Sequence, residues 1–179
     1  MNKVLKHTDI QAKLSEVLDQ KNPMALPKIT KITVSAGIGK LYNKDKKVVK
    51  EVEENIMAIA GQKPVVTKAR LSISNFKLRE HMPTGVTVTL RGKRMYDFLN
   101  NFIHIVCPRI RDFQGFSERS MDGKGNISLG IKEHLVFPEI NPDDLVTIHG
   151  LQINIQTTAK NNKEGVELLK LYNFPFKKQ

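Results

Sequence analysis

Three segments of the chain alternate apolar residues with polar ones, and the polar set could form a hydrogen-bonding surface. In VTVTLR, residues 86–91, an apolar residue alternates with threonine and then arginine, and KITKITVSAGIG and LQINIQTTA behave alike. Strict alternation is typical of strands with one buried face. The polar members are Thr33, Ser35, Thr87, Thr89, Arg91, Gln152, Asn154 and Gln156. Their hydroxyl, amide and guanidinium groups carry no negative charge, so they suit an anionic partner.

Positive charge is concentrated beside one of these segments. Residues 63 to 94 include eight basic residues and a single acidic one, Glu80. The basic residues are Lys63, Lys68, Arg70, Lys77, Arg79, Arg91, Lys93 and Arg94. The whole chain has a formal net charge of +11. Such clustering favours a phosphate backbone, whose neutralisation releases counterions, over an acidic membrane surface.

Two plainer interpretations of these features stay open. Antiparallel sheets commonly leave one polar face in water, and excess lysine can simply keep a small protein soluble. RNA binding is favoured over both because the charge is clustered along the chain. It is favoured over DNA binding because the sequence has no helix-turn-helix or zinc-finger pattern.

Signatures of catalysis and of metal binding are missing from the sequence. GIGK, residues 37–40, lacks the spacing of a phosphate-binding loop and is followed by Leu41 where a hydroxyl is needed. The five histidines are dispersed, and Ser117 and Ser120 lie outside a nucleophile motif. His104 falls in an apolar helical segment, so we expect it to be packed in the core. We therefore expect no metal and no cofactor, with an RNA-acting enzyme as a competing class.

Cysteine usage and hydropathy indicate the compartment. Cys107 is the only cysteine, which points to a reducing compartment and to a buried, packed thiol. The N-terminus has no signal-peptide core, and no stretch approaches the roughly 20 apolar residues of a membrane span. These features predict a soluble, cytoplasmic protein. Membrane-surface binding is disfavoured because the helical segment near residues 48–59 carries Glu51, Glu53 and Glu54.

Amphipathic helices are predicted between the strands. Their apolar stripes are Ile10, Leu14, Val17 and Leu18; Val48, Val52, Ile56 and Ile59, with Gly61 as the cap; and Met95, Phe98, Phe102 and Ile105, ended by Pro108. ISLGI reads as a further strand and KEGVELLKLYNF as a final helix. Half-polar strands alternating with amphipathic helices predict an α+β fold. We expect a single domain over residues 1–179, with an antiparallel sheet, helices packed on one face and the other face open for RNA.

Two long basic segments show no sustained period. PVVTKARLSISNFKLREHMPTG is predicted to be a mobile basic loop, although RLSIS within it could form a strand. RIRDFQGFSERSMDGKGN reads as a second basic loop rich in glycine. Mobile basic loops beside an open sheet suit recognition of RNA by shape and by its loops.

Long motifs in the chain resemble a known family. They are GQKPVVTKARLSISNFKLREHMPTGVTVTLRGKRMYDFL, PRIRDFQGFSERSMDGKGN, EHLVFPEI and TTAKNNKEGVELLKLYNFPFK. Together they resemble the bacterial large-subunit ribosomal protein five family, whose members bind 5S rRNA. The resemblance runs nearly from end to end. It implies a structural, non-catalytic protein that attaches 5S rRNA in the central protuberance.

The resemblance also implies partners and contact residues. The family's 5S rRNA-contacting polar positions fall on Ser35, Gln62 and Thr89. With the neighbouring polar and basic side chains, the expected 5S rRNA-binding set is Ser35, Gln62, Lys63, Thr67, Lys68, Arg70, Thr87, Thr89 and Arg91. The family usually has Asn where this chain has Ser35; serine is shorter, so that contact is expected to be lost or to pass through water.

Two further contacts follow from the resemblance. A loop from Ser74 to Gly85 resembles the family's loop for P-site tRNA, and its expected contact residues are Ser74, Asn75, Lys77, Arg79 and His81. Residues 133–148 contain four acids and no Lys or Arg, which suits a basic protein partner. The family places its bridge to small-subunit protein thirteen nearby, which implicates Glu139, Asp143 and Asp144. Large-subunit rRNA and other central-protuberance proteins complete the implied partners.

Overall fold

A computed structural model describes residues 7–20, 22–141 and 147–177 of the chain. In chain order its elements are α1 (His7–Val17), β1 (Ile29–Gly37), α2 (Gly39–Tyr42), α3 (Val48–Ala60), β2 (Val65–Lys68), β3 (Pro83–Leu90), α4 (Gly92–Asn101), a π-helical turn (Phe102–Val106), α5 (Cys107–Arg109), β4 (Ile127–Ile131), β5 (Leu151–Thr157) and α6 (Asn162–Leu171). Short 3-10 turns lie at Pro23–Ala25, Ser74–Phe76, Glu118–Ser120 and His134–Val136.

The five strands form one antiparallel sheet in the order β2-β3-β1-β5-β4. β1 is central, and its Val34 lies between Val88 of β3 and Ile153 of β5. Leu129 of β4 continues the same row at the edge of the sheet. All four side chains are buried. The predicted strands and their inward-facing residues are therefore confirmed.

Helices cover only the apolar face of this sheet. In every one of the long strands the inward residues alternate with residues that are exposed or half-buried, so one face is packed and the other is not. The inward residues join side chains from α3, α4 and α6 in a single core. The α+β fold with helices on one face is confirmed.

Helix α3 shows how the chain places its apolar stripe. Val48, Val52, Ile56 and Ile59 recur at helical spacing and are all buried. Gly61 ends the helix with φ of 60°, a left-handed conformation that glycine adopts without steric cost. Its N–H donates to the carbonyl of Met57 at 2.9 Å. The predicted helix and its cap are confirmed.

The helix after β3 departs from its predicted register. Met95, Phe98 and Phe102 are buried as expected, but Ile105 is 42% exposed. The π-helical turn at Phe102–Val106 has a wider repeat, so Ile103 and Val106 point inward in its place. The same change of register exposes His104, and the prediction that His104 packs in the core is wrong. Pro108 lies in the first turn of α5, which continues to Arg109.

Helix α1 carries a shorter stripe than expected. Ile10 and Leu14 are buried, whereas Val17 is 54% exposed. The helix ends at Val17, and Leu18, whose N–H still donates to Leu14 O at 3.0 Å, packs half-buried against the core. The assignment of Val17 to the buried stripe is wrong.

The first basic segment is more regular than expected. Residues 65–68 form edge strand β2, whereas RLSIS does not become a strand. Instead, residues 69–82 form what we call the 69–82 hairpin. The Ala69 N–H donates to Met82 O at 2.8 Å, and Ile73 and Leu78 form an isolated bridge further out. Sequence alternation missed this hairpin because several of its apolar residues, Leu71, Ile73 and Phe76, are exposed and show no inward period.

The second basic segment ends in a tightly packed turn. Asp122 accepts hydrogen bonds from the N–H groups of Lys124 and Asn126, and from the Asn126 side chain. These bonds lower the pKa of the Asp122 carboxyl. Gly125, at φ of 77°, packs against Gly165 of α6, where any Cβ would meet Gly125 backbone atoms at 2.7 Å. The turn thus fixes α6 next to β4, the strand that follows the turn.

Candidate nucleic-acid interface

The uncovered face of the sheet presents rows of small polar side chains across several strands. We call it the open face. One row joins Thr89, Thr33, Asn154 and Ser128 on four neighbouring strands. The next row consists of Val65, Thr87, Ser35, Gln152 and Gly130, which spans all five strands. The polar side chains predicted to share one face are therefore brought together.

The chemistry of the open face suits an anionic ligand. None of the five strands contains Asp or Glu. Three glycines extend the face, and the open space around Gly37 and Gly130 leaves the main chain accessible. Gly85 is tighter, because a Cβ there would lie 3.0 Å from the Ala36 carbonyl oxygen. Small side chains allow a nucleic-acid backbone to approach main-chain groups closely.

Gln62 is held at one end of the open face. Gly61 ends α3, and the next residue turns its amide toward β3, where Gln62 Nε2 donates to Thr89 O at 3.3 Å. Arg94 Nη1 donates to Gln62 Oε1 at 3.5 Å. Gln62 and Thr89 are 27 positions apart in the chain. The fold thus joins two predicted contact residues, both uncharged, to the cationic side chain of Arg94.

Thr67 occupies the edge of the face beside Gly85. Its hydroxyl donates to Gly85 O at 3.0 Å, and its carbonyl accepts from the Thr84 hydroxyl at 3.2 Å. The Thr67 side chain is exposed. Its oxygen keeps lone pairs that can accept a further hydrogen bond.

Cations surround the β2–β3 side of this face. Lys63, Lys68, Arg70 and Arg91 are all exposed. Across the described parts of the chain, none of the ion pairs involves these four residues. Arg91 directly precedes α4 and makes no side-chain capping bond to it, and the first turn of this helix contains no acid. The charges are therefore available to an external anion.

The 69–82 hairpin presents the residues expected to contact tRNA. Ser74, Asn75, Lys77, Arg79 and His81 are all exposed. His81 Nε2 lies 3.6 Å from Glu80 Oε1, the hairpin's only carboxylate. Phe76 at the tip is 72% exposed. An exposed aromatic ring among cations is suited to stacking on a nucleic-acid base.

Only one of the expected bridge residues lies within the described structure. Glu139 is exposed, and its Oε1 accepts from Asn101 Nδ2 at 2.8 Å. Asp143 and Asp144 lie outside the described residues. The structure therefore places one carboxylate of the acidic stretch next to the C-terminal end of α4.

A buried histidine pair went unnoticed in the sequence. His134 and His149 stack with ring centroids 3.9 Å apart and are almost completely buried. Burial lowers the pKa of both histidines. The pKa of His149 falls to about 4, because the neighbouring His134 ring lowers it further. Their separation of fifteen positions carries no recognisable motif. The pair packs inside the molecule, away from the open face.

No grouping of three metal-binding side chains occurs in the described parts of the chain. Cys107 is buried, as expected, and burial raises the pKa of its thiol to about 12. A thiol held protonated is a poor nucleophile. Among the described helices, none is long and apolar enough to cross a membrane.

Several residues of the open face were missing from the predicted set. Ser128 and Gly130 belong to it through strand β4. The alternation in ISLGI could have identified the first two. Arg94 required the packing of α4 beside Gln62, for which the sequence contains no local signal.

Two family models match this chain, and together they cover all five strands of the sheet. Residues 22–79 match the family described as "Ribosomal protein L5", and residues 83–176 match "ribosomal L5P family C-terminus". β1 and β2 fall in the first match and β3, β4 and β5 in the second. Because these strands form one sheet, the two matches share a single core.

Individual relatives are similar over nearly their full length. The chain is 50% identical to the large ribosomal subunit protein uL5 of Psychrobacter cryohalolentis, over 98% of both chains. It is 52% identical to the uL5 protein of Desulforapulum autotrophicum, over 92% of this chain and 91% of the other. The uL5 protein of Wolinella succinogenes is 48% identical over 98% and 95%, respectively.

Proposed function

The chain belongs to the ribosomal protein L5 family, and from that premise we propose that it binds 5S rRNA through its open face. As a member of this family it is a structural constituent of the large ribosomal subunit and not an enzyme. It works in the cytoplasm as part of the ribosome. The proposed RNA-binding unit is the single domain formed by residues 1–179.

The observation that carries the proposal is the continuity of the open face. The two rows through Thr33 and Ser35 each cross at least four strands and contain no carboxylate. Hydroxyl and amide groups in such rows can donate to phosphate oxygens and accept from ribose hydroxyls. Exposed cations along the β2–β3 side add the salt-dependent part of the affinity.

Gln62 and Thr89 are the proposed centre of the 5S rRNA contact. The hydrogen bond from Gln62 Nε2 to Thr89 O fixes the amide, and Arg94 approaches its oxygen. A pre-positioned amide loses less side-chain freedom on binding than a free one does. Ser35 lies in the adjacent row and is shorter than Asn, so its contact is proposed to be lost or to run through water.

Two further contacts belong to the proposal. The 69–82 hairpin would contact P-site tRNA through Lys77 and Arg79, and Glu139 with Asp143 and Asp144 would contact small-subunit protein thirteen. Large-subunit rRNA and neighbouring proteins of the central protuberance would complete the surroundings. The exposure of the hairpin side chains and of Glu139 supports these assignments.

Alanine at both central positions tests the 5S rRNA contact. We expect Gln62→Ala combined with Thr89→Ala to weaken binding of purified 5S rRNA roughly 10- to 30-fold, since each lost hydrogen bond costs about 1 kcal/mol. A filter-binding titration measures this change. Gln11→Ala, which removes an amide from α1, is the matched control and should bind as the wild type does.

Equal affinity of the double variant and the wild type would remove Gln62 and Thr89 from the site. Circular dichroism of the variants at matched concentration separates a lost contact from a lost fold. Wild-type protein that fails to prefer 5S rRNA over an unrelated structured RNA would contradict the proposed function as a whole.

A further inference from the structure

A basic cleft opens between α2 and the 69–82 hairpin, away from the rows of the open face. Its volume is about 710 Å³, within the range of sites that hold small ligands. Tyr42, Asn43 and Lys46 line one wall, and Ser74, Lys77 and Arg79 line the other. None of the residues that line it is acidic.

The backbone explains why these two walls face each other. α2 follows β1 directly, and the Ile38 N–H donates to Thr84 O at 2.9 Å, next to the base of the hairpin. The Tyr42 N–H then donates to Ile38 O at 2.8 Å, which closes the single turn of α2. The cleft is therefore built by hydrogen-bonded elements at the end of the sheet.

The charges of the cleft are available to a ligand. Lys46, Lys77 and Arg79 are exposed, and none of them takes part in an ion pair within the described residues. Of the nearest acids, Asp45 accepts the Lys47 N–H at 2.8 Å, and Glu80 lies beside His81. Neither acid lines the cleft, so a cationic surface remains.

We propose that this cleft binds unpaired RNA nucleotides, with phosphates on Lys46, Lys77 and Arg79 and a base against the ring of Tyr42. Three cations around one aromatic side chain combine phosphate neutralisation with stacking, which is how single-stranded nucleic acid is held without sequence preference. A duplex keeps its bases stacked inside and leaves no base for Tyr42. The proposal rests on the proposed tRNA contact of Lys77 and Arg79, and it adds α2 as a second wall.

Substitutions in the α2 wall test the cleft without touching the hairpin. The full chain is titrated with fluorescently labelled octauridylate, and 5S rRNA is titrated in parallel. We expect Tyr42→Ala and Lys46→Ala each to weaken octauridylate binding about fivefold or more. Tyr42→Phe, which keeps the ring, and Lys163→Ala, which removes a charge from α6, should bind as the wild type does. All four variants should keep wild-type affinity for 5S rRNA.

Three results would overturn the cleft as a site. The first is wild-type affinity of Tyr42→Ala and Lys46→Ala for octauridylate; the second is their loss of 5S rRNA binding to the same degree. The third is a blunt duplex that competes as well as octauridylate does. Wild-type protein that shows the expected octauridylate pattern but does not bind 5S rRNA would support the cleft and contradict the proposed 5S rRNA contact.

Discussion

At the scale of single residues, the buried histidines couple protonation to folding. Among the described residues, neither ring nitrogen of His149 has a hydrogen-bond partner, and neither does the Nε2 of His134. Glu51, whose Oε1 accepts the Thr147 N–H at 3.0 Å, is the carboxylate whose charge reaches both rings and opposes the lowering of their pKa. Burial outweighs this attraction, so both rings are neutral in the folded protein at neutral pH.

This pair predicts that stability falls on the acid side. Because the folded pKa of His149 is about 4 and its ordinary value is 6.5, the unfolded chain takes up protons first as the pH falls. The stability is complete above about pH 6.5 and is lost progressively toward pH 4. The loss from His149 alone should be about 2 kcal/mol at pH 5. Urea unfolding at pH 7 and pH 5 measures it.

The control for this prediction is another histidine of the same chain. His149→Phe keeps an aromatic ring against His134 and should reduce the difference between the two pH values. His104→Gln removes an exposed histidine and should leave the wild-type difference intact. An unfolding free energy that falls equally in wild type and His149→Phe would contradict the assignment.

At the scale of elements, the 69–82 hairpin and the open face are separate surfaces. We expect Lys77→Ala combined with Arg79→Ala to spare 5S rRNA binding and to reduce photo-crosslinking to P-site tRNA in reconstituted ribosomes. Lys77 lies at the hairpin tip, beyond the Ile73–Leu78 bridge, and Arg79 lies between that bridge and the hairpin base, whereas the open face begins at Gly85. Lys63→Ala combined with Arg91→Ala should weaken 5S rRNA binding and leave the cross-linking to tRNA unchanged. Equal loss of 5S rRNA binding and of tRNA cross-linking in the hairpin variant would show that the two surfaces do not act separately.

The turn before β4 predicts a second element-scale effect, on stability. Gly125→Ala places a Cβ 2.6 Å from the Ala159 Cβ at a φ of 77°, so it adds a clash to the strain of a left-handed residue. Gly123, at φ of 91° in the same turn, has open space instead. Gly123→Ala should cost about 1–2 kcal/mol of unfolding free energy from backbone strain. Gly125→Ala should cost roughly 1–3 kcal/mol more.

Thermal and urea unfolding of the two alanine variants checks this difference. The comparison isolates the packing of the turn against Ala159, because both variants share the same change of backbone preference. Equal destabilisation would show that the close approach of residue 125 to Ala159 relaxes without cost.

At the scale of the whole molecule, periodicity predicted what depends on burial and missed what depends on packing between elements. Alternation located β1, β3, β4 and β5, because one side of each strand is in the core. It could not anticipate the π-helical turn that exchanges Ile105 for Ile103 and Val106, since that register is set by the fit of the helix on the sheet. The meeting of Gln62 with Thr89 and Arg94 likewise needs three elements at once.

The charge distribution of the whole molecule predicts how salt affects RNA binding. Each cation that neutralises a phosphate contributes about 0.7–0.9 to the slope of log affinity against log salt concentration. Lys68→Ala combined with Arg70→Ala should therefore flatten the slope for 5S rRNA by roughly 1–2. Thr89→Ala should lower affinity while leaving the slope unchanged, because it removes no charge. A flatter slope in Thr89→Ala would mean that the open face and its cations do not act separately.

The central position of β1 determines when the open face can exist during synthesis. β1 pairs with β5, whose last residue, Thr157, lies opposite Ile29. More than a hundred residues must therefore be translated after β1 before its second edge is paired. A nascent chain that stops short of β5 has only part of each polar row, and one edge of its central strand is unpaired. We therefore expect products that terminate before β5 to lack the complete open face and the RNA binding proposed for it.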